Sequence, residues 1–145
     1  MNAFHPYLNF NGTAEAAFNF YKSIFGGEFL SFQKMGDAPG FEHLPESEKN
    51  RVMHVALPIN PSTLLMASDC VPSAGHVFVE GNNMYININT DTREEADRLF
   101  NELSAGGTIE MPMADMFWGD YFGSFKDKYG IQWMINHSAS KHTEN

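Results

Sequence analysis

The chain repeats itself. His5 to Phe29, HPYLNFNGTAEAAFNFYKSIFGGEF, returns as Tyr85 to Ile109, YININTDTREEADRLFNELSAGGTI, in register at an offset of 80 without gaps. Ala16 answers to Ala96, Phe20 to Phe100, and Gly26-Gly27 to Gly106-Gly107. Each copy reads as a strand, an amphipathic helix and a glycine stop. Two copies are too few for a solenoid. They predict a duplicated module whose halves pack on each other, 1–72 and 80–140, together one domain.

A length of 145 residues suits one domain with its own core. The 13 phenylalanines fill a core or line a pocket. A net charge of -9 argues against nucleic acid, whose binding rests on Lys and Arg neutralising phosphates, and against anionic membrane surfaces. No apolar run approaches the roughly 20 residues of a spanning helix. The start MNAFHPYLNF has neither the basic beginning nor the apolar stretch of a signal peptide. Cys70 is the one cysteine, which excludes an internal disulfide and a thiolate cluster. These features lead us to expect a cytoplasmic protein.

Period-two alternation marks the strands and separates their faces. From Phe4 to Phe10, Phe4, Leu8 and Phe10 oppose His5, Tyr7 and Asn9. Thr13 is a candidate N-cap for a helix over 14–25, whose apolar positions include Ala17, Phe20, Tyr21, Ile24 and Phe25. A left-handed turn at Gly26 is expected to stop it. Strands follow over 29–35, 52–59 and 63–69. Gly36 to Asn50, which contains His43, reads as a mobile loop with a short helical turn. The third strand places Val52, His54 and Ala56 on one face, and the fourth places Leu64, Met66 and Ser68 on one face. Asp69 and Asp127 read as turn residues.

In the second copy, Tyr85, Asn87 and Asn89 oppose Met84, Ile86 and Ile88. Thr92-Arg93-Glu94-Glu95 is a capping box. Strands are expected over 108–116, 118–125 and 131–136, the last with Gln132, Met134 and Asn136 on one face. The polar tail SASKHTEN is expected to fray. The order is therefore βαβββ twice, an α+β fold forming a cup-shaped mixed sheet. The cup face carries His5, Tyr7, Asn9, His54, Tyr85, Asn87, Asn89, Gln132 and Asn136. Buried polar groups need partners, which a wet cavity or plain solvent exposure can supply.

With these residues in hand, the chain resembles the vicinal oxygen chelate superfamily of glyoxalases, extradiol dioxygenases and bleomycin-resistance proteins. More narrowly it is similar to the PhnB-like branch, labelled 3-demethylubiquinone methyltransferase-like. PYLNFNGTAEAAFNFYKSIFGGE, LLMASD and IEMPMADMFWGDYFGSFKDKYGIQWMIN carry the likeness, which spans nearly the whole chain. No glycine-rich cofactor loop opens a helix, so the residues give the methyltransferase label no support. The resemblance implies a homodimer. It also implies, for metal-dependent members, one divalent ion held by the first and fourth strands of each module. Carried onto this chain, those positions are His5, Tyr85, Met66 and Met134. Only His5 matches a ligand; thioethers and neutral phenols are poor donors for Mg, Mn, Ni or Zn. A noncanonical site would need His5, His54 and a carboxylate such as Asp69 or Glu110.

The reading is a small-molecule binding protein without metal or other cofactor. Its candidate ligand-binding residues are His5, Tyr7, Asn9, His54, Met66, Tyr85, Asn87, Trp118, Phe122 and Met134. His5 reads equally as a structural histidine, Met66 and Met134 also as core fillers, and Trp118 and Phe122 also as core or dimer contacts. The alternatives are a metal-dependent lyase or dioxygenase with a noncanonical site, and an interaction protein whose cup is vestigial. Catalytic residues are not assigned.

Overall fold

A computed structural model describes residues 1–138; all of the expected fraying tail except Ser138 lies outside the described residues. The chain divides into two compact units, Met1–Val79 and the segment from Glu80 onward. Each unit is one βαβββ module. No described helix is long and apolar enough to cross a membrane.

The first module runs β1 (Tyr7–Phe10), α1 (Ala14–Phe25), β2 (Ser31–Lys34), α2 (Glu46–Lys49), β3 (Val52–Asn60) and β4 (Thr63–Asp69). Its sheet order is β1-β4-β3-β2. The second runs β5 (Ile86–Asn89), α3 (Arg93–Ser104), β6 (Thr108–Asp115), β7 (Asp120–Lys126) and β8 (Gln132–Ser138), in the order β5-β8-β7-β6. In both, the first strand pairs parallel with the last, and the other pairings are antiparallel. These are mixed four-stranded sheets with one long helix each. Trp118, expected to open a strand, lies in the turn before β7.

Alternation sets which face meets the helix. Leu8 and Phe10 of β1, Val55 and Leu57 of β3, and Leu65 and Ala67 of β4 are buried. Phe10 meets Phe18 of α1 edge to face. The helix buries Ala14, Ala17, Phe18, Tyr21 and Ile24. The stripe therefore centres on Phe18, and Phe20 and Phe25 sit half-buried at its edge. In the second module Ala96, Leu99, Phe100 and Leu103 of α3 are buried, and Phe100 meets Phe125 edge to face.

The two copies slip by one residue between strand and helix. Ala96 is fully buried, whereas Ala16, its equivalent at an offset of 80, is exposed. Ala17, Tyr21 and Ile24 answer to Ala96, Phe100 and Leu103, and the N-caps are Thr13 and Thr92. Asn11-Gly12-Thr13 is thus one residue longer than Asp91-Thr92. A helix face tolerates such a slip only if the whole stripe rotates with it.

The two helix starts are capped differently. Thr92 Oγ1 accepts from Glu95 N at 3.0 Å, and Glu95 Oε1 accepts from Asp91 N at 3.3 Å. Thr13 makes no side-chain cap. Asp69 takes over from the end of β4, which corrects its reading as a turn residue. Its Oδ1 accepts from Gly12 N at 2.9 Å and Ala14 N at 3.0 Å, and its Oδ2 from Val52 N at 2.8 Å. A buried carboxylate is tolerated when such donors satisfy it. Asp127 does lie in a turn: Oδ1 accepts from Tyr129 N and Ile131 N, and Oδ2 from the Trp133 indole at 2.8 Å.

Helix α1 ends on Gly26 at φ 81 and ψ -171, outside the left-handed well expected there and open in practice to glycine alone. The segment between β2 and β3 is anchored. Met35, Leu44 and Val71 form a buried cluster against Phe41 and Met53. Glu48 accepts from Ser73 Oγ at 2.5 Å.

Replacing Asp69 by Ala leaves three backbone N–H groups without their acceptor. It should lower unfolding stability in urea by about 3 kcal/mol, whereas Glu94→Ala on the exposed side of α3 should change it by less than about 0.5 kcal/mol. Equal midpoints for the two variants would contradict the role assigned to Asp69.

Candidate functional site

The candidate residues are sorted by the sheet face away from each helix. In the first module, Tyr7 of β1 pairs with Met66 of β4, Met66 with Ala56 of β3, and Ala56 with Ser31 of β2. The next row up holds Asn9 beside Ser68, and His54 beside Gln33. Tyr7 and Asn9 are exposed, and Met66 and His54 are half-buried. Tyr7 lies across β4 to reach β3. Its Oη is 3.2 Å from His54 Nδ1, and the two rings stack at 5.8 Å between centroids.

The second module repeats the arrangement. Asn87 of β5 pairs with Met134 of β8, Met134 with Ser124 of β7, and Ser124 with Met111 of β6. Asn89 lies beside Asn136, which pairs with Phe122. The amides form a ladder: Asn87 Nδ2 and Asn136 Nδ2 both donate to Asn89 Oδ1, at 3.1 and 3.4 Å. Thus Tyr7–Met66 and Asn87–Met134 are matching pairs, one polar side chain beside one thioether.

His5, Gln132 and Trp118 stand apart from these rows, whereas Phe122 belongs to the Asn136 row. His5 precedes β1, and its Nδ1 accepts from Leu64 N at 3.0 Å. Gln132 is buried and donates from Nε2 to Met84 O at 2.8 Å. Trp118 sits in the turn between β6 and β7, 55% exposed, with its indole N–H on Asp120 and its ring against Phe117. Phe122, on the sheet face, is half-buried.

Of the candidate binding residues, Tyr85 brings in two that were not expected there, Glu110 and Ser124. Tyr85 Oη donates to Glu110 Oε1 at 2.7 Å, and Ser124 Oγ donates to the same oxygen at 3.4 Å. Glu110 reaches this face because the β6–β7 register shifts between Ile109 and Met111. A β-bulge re-aims a side chain in this way. Donating to Glu110 raises the Tyr85 pKa above that of an ordinary tyrosine, helped by desolvation and the nearby negative charge. The phenol therefore stays protonated at neutral pH. The sequence signal was slight: Glu110 alternates with neither neighbour once the bulge is present.

The divalent ion implied by the resemblance can be tested against these donors. His5 Nδ1 accepts a backbone N–H, so the neutral ring carries its proton on Nε2 and has no lone pair left for an ion. Tyr85 is a protonated donor. Met66 and Met134 offer thioethers, which are soft ligands. Asp69, a candidate carboxylate for a noncanonical site, faces three backbone amides instead. Among the described residues, no group of three or more His, Cys, Asp and Glu is placed to hold an ion. The residues present do not fit the superfamily's metal centre.

Comparison with known proteins gives the geometry its context. Residues 2–136 match the family model described as 3-demethylubiquinone-9 3-methyltransferase. The chain is 32% identical to Protein YjdN of Escherichia coli K12 over 139 residues, covering 90% of this chain and 92% of that one. The crystal structure of protein PA1353 from Pseudomonas aeruginosa is 37% identical, with a TM-score of 0.83 over 94% of this chain and 97% of that one. The PhnB protein from Bacillus cereus is 29% identical, with a TM-score of 0.74 over 92% and 98%. The fold alone is shared with a glyoxalase/bleomycin resistance protein/dioxygenase family enzyme from Burkholderia phytofirmans, at 16% identity and a TM-score of 0.60 over 92% and 96%.

Long-range proton–nitrogen correlation spectra should show His5 with an unprotonated Nδ1 and a protonated Nε2. Stoichiometric Zn(II) should leave both signals in place. A protonated Nδ1 together with a zinc-shifted Nε2 would restore the superfamily's ligand and contradict the geometry above.

Proposed function

The chain belongs to the 3-demethylubiquinone-9 3-methyltransferase family, the PhnB-like branch of the glyoxalase/bleomycin resistance superfamily, and from that footing we propose that it binds a small organic molecule on the far faces of its sheets without a metal ion. The observation that carries this reading is the repeated pair, Tyr7–Met66 and Asn87–Met134, turned away from the helix in both modules. Tyr7 and Asn87 are exposed and Met66 and Met134 half-buried, so both pairs keep surface that a ligand can cover.

The chemistry of the pairs suits a ligand with flat apolar surface and a few polar groups. Thioethers are polarisable and flexible, so they adapt to varied shapes. The hydroxyl of Tyr7, the imidazole of His54 and the amides of Asn87 and Asn89 supply hydrogen bonds that fix orientation. Phe122 adds a ring able to stack on a planar group. Tyr7 and His54 hold each other, which reduces the rotamer freedom lost when a ligand arrives. No reaction follows from these contacts, so binding is the function assigned.

A melting screen of planar organic molecules tests the reading. A ligand at about 100 times its Kd should stabilise the fold by about 2.7 kcal/mol, several degrees in Tm. The shift should vanish in the Met66→Lys, Met134→Lys double variant, whose positions are half-exposed and tolerate a longer chain. A stabilisation by Ni, Zn, Mn, Fe(II) or Mg that His5→Ala abolishes would reject the metal-free reading in favour of lyase or dioxygenase chemistry.

A further inference from the structure

We propose that the far face of the second module is a subsite for a protonated amine, with Glu110 as its counter-ion. This deepens the binding function proposed above and rests on it.

On this face Asn87, Asn89, Phe122, Ser124, Met134 and Asn136 are uncharged; of the two charges at the ends of β7, Lys126 is paired with Glu80 and Asp120 accepts from the Trp118 indole. The bulge in β6 adds one carboxylate among them. Among the described residues, no Lys or Arg lies within ion-pair distance of Glu110; the six ion pairs found lie elsewhere. A cation directly across the strands stabilises a carboxylate in a sheet. Glu110 is matched by two hydroxyls instead.

Those hydroxyls orient it. Tyr85 and Ser124 both donate to Oε1. Ser124 is 3% exposed and fixed within β7, so it anchors one side of the carboxylate. Oε2 accepts no hydrogen bond from the described residues. The result is a positioned carboxylate with one oxygen presented to a ligand.

Three ligand classes respond differently. An anion is repelled by Glu110 and by the chain's net charge of -9. A neutral donor gains one hydrogen bond. A protonated amine gains a charge-assisted bond, about twice as strong as a neutral one. Phe122 stands two residues from Ser124 on the same strand face, where its ring can also attract a cation. The ligand class is therefore a planar aromatic molecule bearing an amine that is protonated at neutral pH. The thioether of Met134 takes its flat part and Glu110 takes its charge.

Three probes of one shape and different charge test this on the full chain: 9-aminoacridine (cationic), acridine (largely neutral) and acridine-9-carboxylate (anionic). Calorimetric titration at low and high salt is the readout. The cation should bind more tightly than the other two, and should weaken as salt rises. Glu110→Gln should weaken the cation about tenfold, leave acridine unchanged and keep the melting temperature of the native chain. Tyr85→Phe, which keeps the carboxylate, should weaken the cation less. Equal binding of cation and anion, or a Glu110→Gln effect on the cation within twofold, would overturn the amine subsite while leaving small-molecule binding in place. Failure of all three probes to bind would overturn both readings.

Discussion

Parallel pairing of the first strand with the last is the constraint on which each module depends. A parallel pair cannot be closed by a tight turn and needs a crossover. Here the long helix and two antiparallel strands provide it, and the helix then covers one face of the sheet. Register follows from the pairing: Leu8 lies against Ala67 toward α1, so Tyr7 must lie against Met66 on the other side. Ile88 beside Ile135 places Asn87 beside Met134 by the same logic. A shift of one residue would send Tyr7 into the core and expose Leu8, so the apolar alternation and the polar one enforce each other.

Asp69 ties the first module's connections to this pairing. It closes β4, caps α1 and holds the start of β3 through three backbone N–H groups. The second module divides the work. Thr92 and Glu95 cap α3 locally, and Asp127 fixes the β7–β8 turn and the Trp133 indole. Duplication preserved the strand order but not the means of holding it.

Much of the fold was legible because it is written in local periodicity. The repeat, the two helices, the capping box at Thr92 and the alternation of β1 and β5 all depend on residues within a turn or two of each other. What was not legible depends on distance or on a single-residue slip. Asp69 reads as a turn residue because its partners, Gly12, Ala14 and Val52, are remote in sequence. Phe20 stands in for Phe18 in the apolar stripe read from the sequence because an ungapped repeat forces the wrong helical phase. Glu110 reads from the sequence only as a carboxylate for a noncanonical ion site, since a bulge is invisible to period-two alternation. Trp118 stands in a turn because Asp120, not Trp118, opens β7. The family label raises methyl transfer and the superfamily raises metal chemistry, whereas His5, Tyr85, Met66 and Met134 present a bound ring nitrogen, a phenol and two thioethers.

Methyl resonances of the methionines report most directly on ligand binding at the thioether pairs. With carbon-labelled methionine methyls, a ligand found by melting should move Met66 and Met134. It should leave Met35, buried in the cluster with Leu44 and Val71, where it is. Saturable binding that leaves Met66 and Met134 unmoved would contradict the claim.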